Sequence, residues 1–205
     1  MFTGIIKKVS FVDKVFQKNG SLFLEIKKPK NWKVWEGESI AINGICSTVK
    51  KKNAKVFQVE YMPETIKKTT AGKWKAGSLV NLEKSLTLGD LVDGHLVQGH
   101  IDTTGEIEII KKAKESKVIK IKIPRKFMKL VANKGSIAVD GISLTVVDTG
   151  LDWFSISLVS YTLENTNLGK IKVGDRVNIE TDVLAKYVDK LLHANSALRK
   201  RPCEK

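Results

Sequence analysis

With 205 residues, 28% of them charged, and a formal net charge of +14, the chain has room for one large domain or two small ones. No apolar run approaches the roughly 18 residues of a membrane span, and Met1-Phe-Thr-Gly-Ile-Ile6 is too short and lacks the basic start of a secretory signal. A soluble cytoplasmic protein without membrane contact is therefore expected. Cys46 and Cys203 fit neither a disulfide framework nor a metal-ligand spacing. The positive charge raises nucleic acid as a partner. Against that, the lysines are scattered in small groups such as Lys7-Lys8, Lys27-Lys28 and Lys111-Lys112. Few aromatic residues stand among them as stacking platforms, so a solvated surface is the favoured reading.

In chain order the sequence reads as β-rich. Leu22-Phe-Leu-Glu-Ile26, Val56-Phe-Gln-Val-Glu60 and Phe154-Ser-Ile-Ser-Leu158 alternate apolar and polar residues at period two. Asn19-Gly20, Asn43-Gly44, Asp140-Gly141 and Thr149-Gly150 supply turns between such runs. Met62 to Lys68 and Val159 to Asn165 lose the alternation and read as loops entering a short helical turn. In Lys117-Val-Ile-Lys-Ile-Lys-Ile123, Lys120 and Lys122 fall on the outward face of a strand. Pro124 to Val131 reads as a short helix with Pro in its first turn. Asp182 is a candidate cap for a helix whose Val183, Leu184, Tyr187, Val188, Leu191 and Leu192 form one stripe. That helix either lies on its own barrel or joins other copies in a bundle; the pattern weighs the two equally.

The chain is written twice. Ser39-Ile-Ala-Ile-Asn-Gly-Ile-Cys-Ser-Thr-Val49 returns as Ser136-Ile-Ala-Val-Asp-Gly-Ile-Ser-Leu-Thr-Val146, with seven of eleven positions identical. The register persists: Thr65, Thr69, Gly72 and Lys73 meet Thr162, Thr166, Gly169 and Lys170, and Gly77, Val80, Asn81 and Glu83 meet Gly174, Val177, Asn178 and Glu180. Two modules follow, residues 1–86 and 95–181, joined by a linker over 87–94. A helix over 182–195 and a flexible basic tail over 196–205 complete the chain. Many short strands with regular turns predict a closed barrel in each module.

No GxxxxGK loop, no GxGxxG after a strand, no metal-ligand cluster and no paired catalytic carboxylates are present. The informative positions are those where the copies differ. Cys46 in the first stands where Ser143 stands in the second, and Gln98-Gly99-His100-Ile101 answers Thr3-Gly4-Ile5-Ile6. Duplicated modules of this kind suit two similar small molecules, with the substitutions giving the two pockets different roles.

Five blocks, Met1-Phe-Thr-Gly-Ile5, Met62-Pro-Glu-Thr65, Gly94-His-Leu-Val-Gln-Gly-His100, Lys134-Gly-Ser-Ile-Ala-Val-Asp-Gly-Ile-Ser-Leu-Thr-Val146 and Asp182-Val-Leu-Ala-Lys-Tyr-Val188, resemble riboflavin synthase of the alpha-chain type, a lumazine-binding repeat family. The resemblance runs from Met1 to about Leu192. It implies an all-β fold of two tandem six-stranded Greek-key barrels plus a C-terminal α-helix. It also implies dismutation of two 6,7-dimethyl-8-ribityllumazine molecules to riboflavin and a ribitylamino-pyrimidinedione, with no metal or redox cofactor. The implied assembly is a homotrimer joined by C-terminal helices, its sites formed between the N-terminal barrel of one subunit and the C-terminal barrel of the next. Association with lumazine synthase is left open.

The resemblance further implies that Gly4, Ile5 and Ile6 line the N-barrel pocket with Cys46, Ser47, Thr48 and Glu60, Tyr61, Met62, Pro63, Glu64 and Thr65. Gly99, His100, Ile101, Ser143, Leu144, Thr145 and Leu158, Val159, Ser160, Tyr161, Thr162 and Leu163 would line the C-barrel pocket. Phe2, Ser39 and Asp182 belong with the ligand-binding set, Lys134 would reach the other ligand, and Thr65 and Thr162 would bond the ribityl chain or ring. His100 is the expected proton carrier, its ordinary pKa of roughly 6.5 being near working pH. Ser143 is expected to add to or polarise the opposite ligand with His100 as its base, or else to orient a water. Cys46 is either its counterpart or a small buried apolar residue, and His95 reads as structural. Ser47 stands where relatives carry leucine, and Ser160-Tyr161 replaces the usual Pro with Glu or His before Thr162. Two rivals are a non-catalytic lumazine or flavin carrier on the same scaffold and a basic barrel that binds RNA.

Overall fold

The computed structural model describes residues 1–113 and 116–198. The expected tail from 199 onward, including Cys203, lies outside the described residues. The first half contains β1 (Lys8–Lys18), β2 (Ser21–Lys27), β3 (Ser39–Ile42), β4 (Ile45–Lys52), β5 (Val56–Tyr61), α1 (Pro63–Lys68) and β6 (Leu79–Lys84). The second contains β7 (Thr103–Ala113), β8 (Ser116–Lys122), β9 (Ser136–Val139), β10 (Ile142–Thr149), β11 (Trp153–Leu158), α2 (Ser160–Asn165) and β12 (Arg176–Thr181), followed by α3 (Val183–Leu198). Each half closes into an antiparallel barrel. The ring order is β1-β2-β5-β4-β3-β6 in one and, read from the matching strand, β7-β8-β11-β10-β9-β12 in the other. The repeat seen in the sequence is thus a repeat of topology.

Closure has local causes. Register shifts fall between Val12 and Lys14 and between Val49 and Lys51 in the first barrel, and between Ile107 and Ile109 and between Val146 and Asp148 in the second. Such bulges bend and coil a strand enough to bring the sheet round on itself. Asn19-Gly20, Asn43-Gly44 and Asp140-Gly141 take positive φ at both residues (50° and 78°, 44° and 77°, 45° and 78°), the geometry of two-residue hairpins that follow strand twist. Thr149-Gly150 differs: Thr149 ends β10, and Gly150 donates its N–H to the Trp153 carbonyl at 2.8 Å in a wider connection. Lys120 and Lys122 do face outward, paired with Glu108 and Asp152. The expected alternation in β2 is weaker than its sequence suggests. Leu22, Phe23 and Leu24 are all buried, because Phe23 on the outer face is covered by the stacked ring of Phe16 and by Lys50.

Each barrel has its own core, with Leu24, Ile26, Ile40, Phe57, Val59 and Leu82 in the first and Ile107, Ile119, Ile121, Phe154, Ile156 and Ile179 in the second. A third cluster, of Phe2, Ala41, Val97 and Ala138, lies between them. Around it a polar clasp obeys the same twofold relation. Asn81 Nδ2 donates to the Asp140 carbonyl at 3.0 Å, and Asn178 Nδ2 to the Asn43 carbonyl at 2.9 Å. The Asn81 and Asn178 side-chain oxygens accept the N–H groups of Asn167 and Thr70. Asn43 Oδ1 and Asp140 Oδ1 each accept, at 2.7 Å, the N–H of the asparagine on their own barrel. These amides are buried, so the bonds across the interface are costly to leave unmade.

The one charged member of the clasp gives a pH dependence. Burial pushes the Asp140 carboxyl up to about 7 despite the N–H donors of Asn178 and Asn167, and burial likewise pushes Glu180 up to about 7. A carboxyl that binds its proton more tightly folded than unfolded stabilises in full below about pH 4. It loses that share as pH rises through 7, at up to about 1.4 kcal/mol per pH unit and group. Unfolding free energy measured by urea titration should therefore decline between pH 5 and 7. Asp140→Asn, which copies Asn43, should make that slope shallower, with Glu83 and Glu180, both raised by burial, supplying the rest; equal slopes in the two proteins would contradict the assignment.

Helix α3 starts where expected, since Asp182 Oδ1 accepts the Leu184 N–H at 2.9 Å. It runs to Leu198, past the expected end at 195. Val183 is buried against the second barrel, whereas Leu184, Tyr187, Val188, Leu191 and Leu192 are 55–65% exposed. Its own barrel does not cover the stripe. No helix among the described residues is long and apolar enough to cross a membrane.

Candidate active site

The residues before β1 and before β7 form two extended straps that pair with each other across the pseudo-twofold. Phe2 and Val97 exchange backbone hydrogen bonds at 2.7 and 3.1 Å, and Phe2 is wholly buried. It is a wedge between the barrels, packed with Ala41, Val97 and Ala138. Each strap then crosses to the opposite barrel. The Gly4 carbonyl accepts the Ser143 N–H at 2.8 Å, and the Gly99 carbonyl accepts the Cys46 N–H at 2.9 Å. Ile6 packs on the second core and Ile101 on the first. The expected grouping is therefore corrected: Gly4 to Ile6 belong beside Ser143, and Gly99 to Ile101 beside Cys46. Both glycines have positive φ, +77° and +80°, and a Cβ on either would lie 2.6 Å from the Cβ of the residue it backs. Neither a side chain nor a looser strap fits there.

The base beside Ser143 is also corrected. His95 Nδ1 lies 2.7 Å from Ser143 Oγ, while the strap turns His100 toward the Cys46 side with its side chain exposed. Burial lowers the His95 pKa, opposed in part by the Asp182 carboxylate. A neutral imidazole results, able to accept the serine proton at Nδ1. The His95 N–H donates to the Thr3 carbonyl at 3.1 Å, so the first strap fixes the backbone of the residue whose ring meets Ser143. His95, which reads as structural in the sequence because it lies on the linker side of its motif, is thus the histidine bonded to Ser143. Only the fold brings it to Ser143.

The remaining candidates differ in burial. Thr48, Met62, Pro63, Glu64, His100, Lys134, Thr145, Val159, Ser160 and Tyr161 are exposed, and Met62 with Val159 occupy matched repeat positions at 59% exposure each. Cys46, Ser143, Ile5, Thr65, Leu144, Thr162 and Leu163 are half-buried around them. Ser47, Tyr61 and Leu158 instead point into the barrels. Tyr61 donates to Ser47 Oγ at 2.7 Å, and Ser47 donates to the Ile45 carbonyl at 2.8 Å; burial raises the Tyr61 pKa. The departure from leucine at Ser47 is thus an internal exchange of an apolar contact for a hydrogen-bonded pair. Glu60 pairs with Lys50 and Glu64 with Lys68. Ser39 pairs with Thr48 across β3 and β4, and Asp182 caps α3 near His95.

Two candidate centres follow, equivalent in backbone and different in chemistry: a serine bonded to a histidine, and a thiol backed by the strap that carries an exposed histidine. A model of the lumazine-binding domain matches residues 3–85 and again residues 98–182. The chain is 41% identical over 193 residues to a riboflavin synthase of Actinobacillus pleuropneumoniae, covering 94% of this chain and 90% of that protein. The chain belongs to the riboflavin synthase family. A riboflavin synthase of Bacillus subtilis is 38% identical, again over 94% of this chain and 90% of its own length. Among solved structures, LumP complexed with riboflavin superposes with a TM-score of 0.83 at 25% identity, over 88% of this chain and 99% of that one. LumP complexed with 6,7-dimethyl-8-(1'-D-ribityl) lumazine gives 0.80 at 25% identity. The riboflavin synthase family thus accounts for the doubled barrel and for its repeat.

Proposed function

We propose that this chain is a riboflavin synthase, a transferase that passes a four-carbon unit between two 6,7-dimethyl-8-ribityllumazine molecules to give riboflavin and 5-amino-6-(D-ribitylamino)uracil, without metal or redox cofactor. The observation that carries the reading is the matched pair of strap-backed positions with unlike groups, Ser143 bonded to His95 and Cys46 backed by Gly99 of the strap that carries His100. One compound serves as donor and acceptor, so two related surfaces are needed and their side chains must differ. Holding the pair in register supplies much of the rate, since orientation contributes roughly 7–11 kcal/mol. His95 takes the proton of Ser143, or of a water that Ser143 holds, as oxygen adds at ring carbon 7 of one ligand. The other ligand gives up a proton from its acidic 7-methyl group to His100. Thr65, Thr162 and the backbone of the two helical loops bind the ribityl chains and ring edges.

The candidate groups lie on open faces, which supports a homotrimer in which a neighbouring copy closes each site. The outward stripe of α3 supplies the contact. Leu191→Glu should convert a trimer to a monomer in sedimentation velocity and lower turnover most strongly in dilute solution. A wild-type protein that sediments as a monomer would refute this assembly. The solved complexes of LumP favour one second reading, a carrier that binds lumazine or riboflavin without turnover. Incubating the purified protein alone with the lumazine separates the two. Riboflavin absorbance with one pyrimidine product per flavin is expected; a spectral binding shift without product would establish the carrier.

A further inference from the structure

We infer that Glu83 and Glu180 are positioning residues that act across the barrel interface, each fixing the strap that holds the reactive side chain of the opposite barrel. The inference rests on the functional reading above for which side chains react, but its geometry stands apart from it. Glu83, on β6, is 2% exposed; its Oε1 accepts the Thr3 N–H and Thr3 Oγ1–H at 2.7 Å each, and its Oε2 accepts the Gly4 N–H at 3.0 Å. Glu180, on β12, is 1% exposed; its Oε1 accepts the Gln98 N–H at 2.7 Å, and its Oε2 accepts the N–H groups of Gly99 and His100 at 2.9 and 3.1 Å.

A buried carboxylate is tolerated only where donors replace its water. Here all three donors for each come from a strap that has no strand partner at that point. Once ionised, each carboxylate makes these bonds charge-assisted and therefore stronger than the neutral backbone bonds of the barrels; burial delays that ionisation to about pH 7 for Glu180 and raises Glu83 in the same direction. What they fix is specific: Gly4 and Gly99, each gripped directly through its N–H, are the residues whose carbonyls bind Ser143 and Cys46. The path from Glu83 in the first barrel thus ends at Ser143 in the second, and the path from Glu180 in the second ends at Cys46 in the first. Val80-Asn-Leu-Glu83 and Val177-Asn-Ile-Glu180 carry the pair at the same offset, a buried acidic residue two positions after the clasp asparagine in both copies.

The test uses the full chain in a Cys203→Ser background, with iodoacetamide alkylation of Cys46 and steady-state turnover as the two readouts. Glutamine keeps the shape of glutamate but turns an NH2 group toward strap N–H donors. Glu180→Gln is expected to change the Cys46 alkylation rate at least fivefold and to lower kcat at least tenfold with KM within threefold. Glu83→Gln is expected to lower kcat similarly while Cys46 alkylation stays within twofold of the parent. Glu180→Asp, which withdraws the charge by one methylene, and Thr3→Val, which deletes one donor to Glu83, give the same directions at smaller amplitude should either glutamine variant fail to fold. Cys46 responding to Glu83 and not to Glu180, or wild-type turnover in all four variants of an active protein, would overturn the inference. Alkylation requires no turnover, so a chain that proves to be a carrier yet shows the crosswise alkylation pattern would lose the functional reading and keep the positioning link.

Discussion

Ser143→Ala should lower kcat on the order of a hundredfold or more while leaving the barrels folded. The side chain is half-buried at the start of β10, and its backbone N–H, which holds the Gly4 carbonyl, survives the change. What is lost is the oxygen 2.7 Å from His95 Nδ1. Positioned proton transfer contributes typically 10²- to 10⁴-fold, and a serine hydroxyl reacts only with a base beside it. His95→Gln should therefore cost a similar factor. The double variant should be little worse than either single one, because groups that act as a unit are not additive. The pH profile gives a second check. Since burial holds His95 below the ordinary histidine pKa of about 6.5, the acid limb of kcat should contain a component below that value that is lost in His95→Gln. Single-turnover rates at wild-type level in Ser143→Ala would remove the pair from the catalytic machinery.

The largest effect on stability is expected at Gly44. A Cβ there would stand 2.7 Å from the Gly141 nitrogen and 2.9 Å from its Cα. Those atoms are backbone of the facing turn and cannot rotate away. Gly44→Ala must therefore part the barrels where the Asn43, Asn81, Asn167 and Asn178 bonds and the wedge of Phe2 hold them together. Gly20 is the control, with nearly the same φ of +78° and nothing within 4 Å of its Cβ position. Gly20→Ala bears only the left-handed backbone penalty of about 1–2 kcal/mol. Gly44→Ala adds the displaced interface and should exceed it by at least about 2 kcal/mol. For a chain of this size that is a further fall in Tm of roughly 4–8 °C. Equal Tm values for the two alanine variants would show that the close approach of the turns contributes nothing.

Much of the fold was legible because it is repeated. The Asn-Gly and Asp-Gly turns, the short alternating runs and the fixed offset between Ser39–Val49 and Ser136–Val146 each encode a local preference, and the two copies confirm one another. Cys46 and Ser143 stood out for the same reason, as unlike residues in like frames. The chain also carried the stripe of α3, but not what faces it, since amphipathicity states only that one side avoids water. The family motifs located the neighbourhood of the site through contiguous residues, and contiguity misled where a short strap leaves its own barrel. Gly4 to Ile6 were assigned to the module they begin, and His100 to the serine of its own half.

By itself, then, the sequence determined the two modules, their strand pattern, their turns and the positions at which they diverge, because these depend on neighbours within a few residues or on comparison of one copy with the other. Only the tertiary structure decided that His95 meets Ser143, that the straps exchange barrels and that Glu83 and Glu180 hold them. Those contacts join residues 48 to 139 positions apart. No spacing rule reaches that far, since such pairs form when buried polar groups must find partners across an interface that exists only once both barrels have closed.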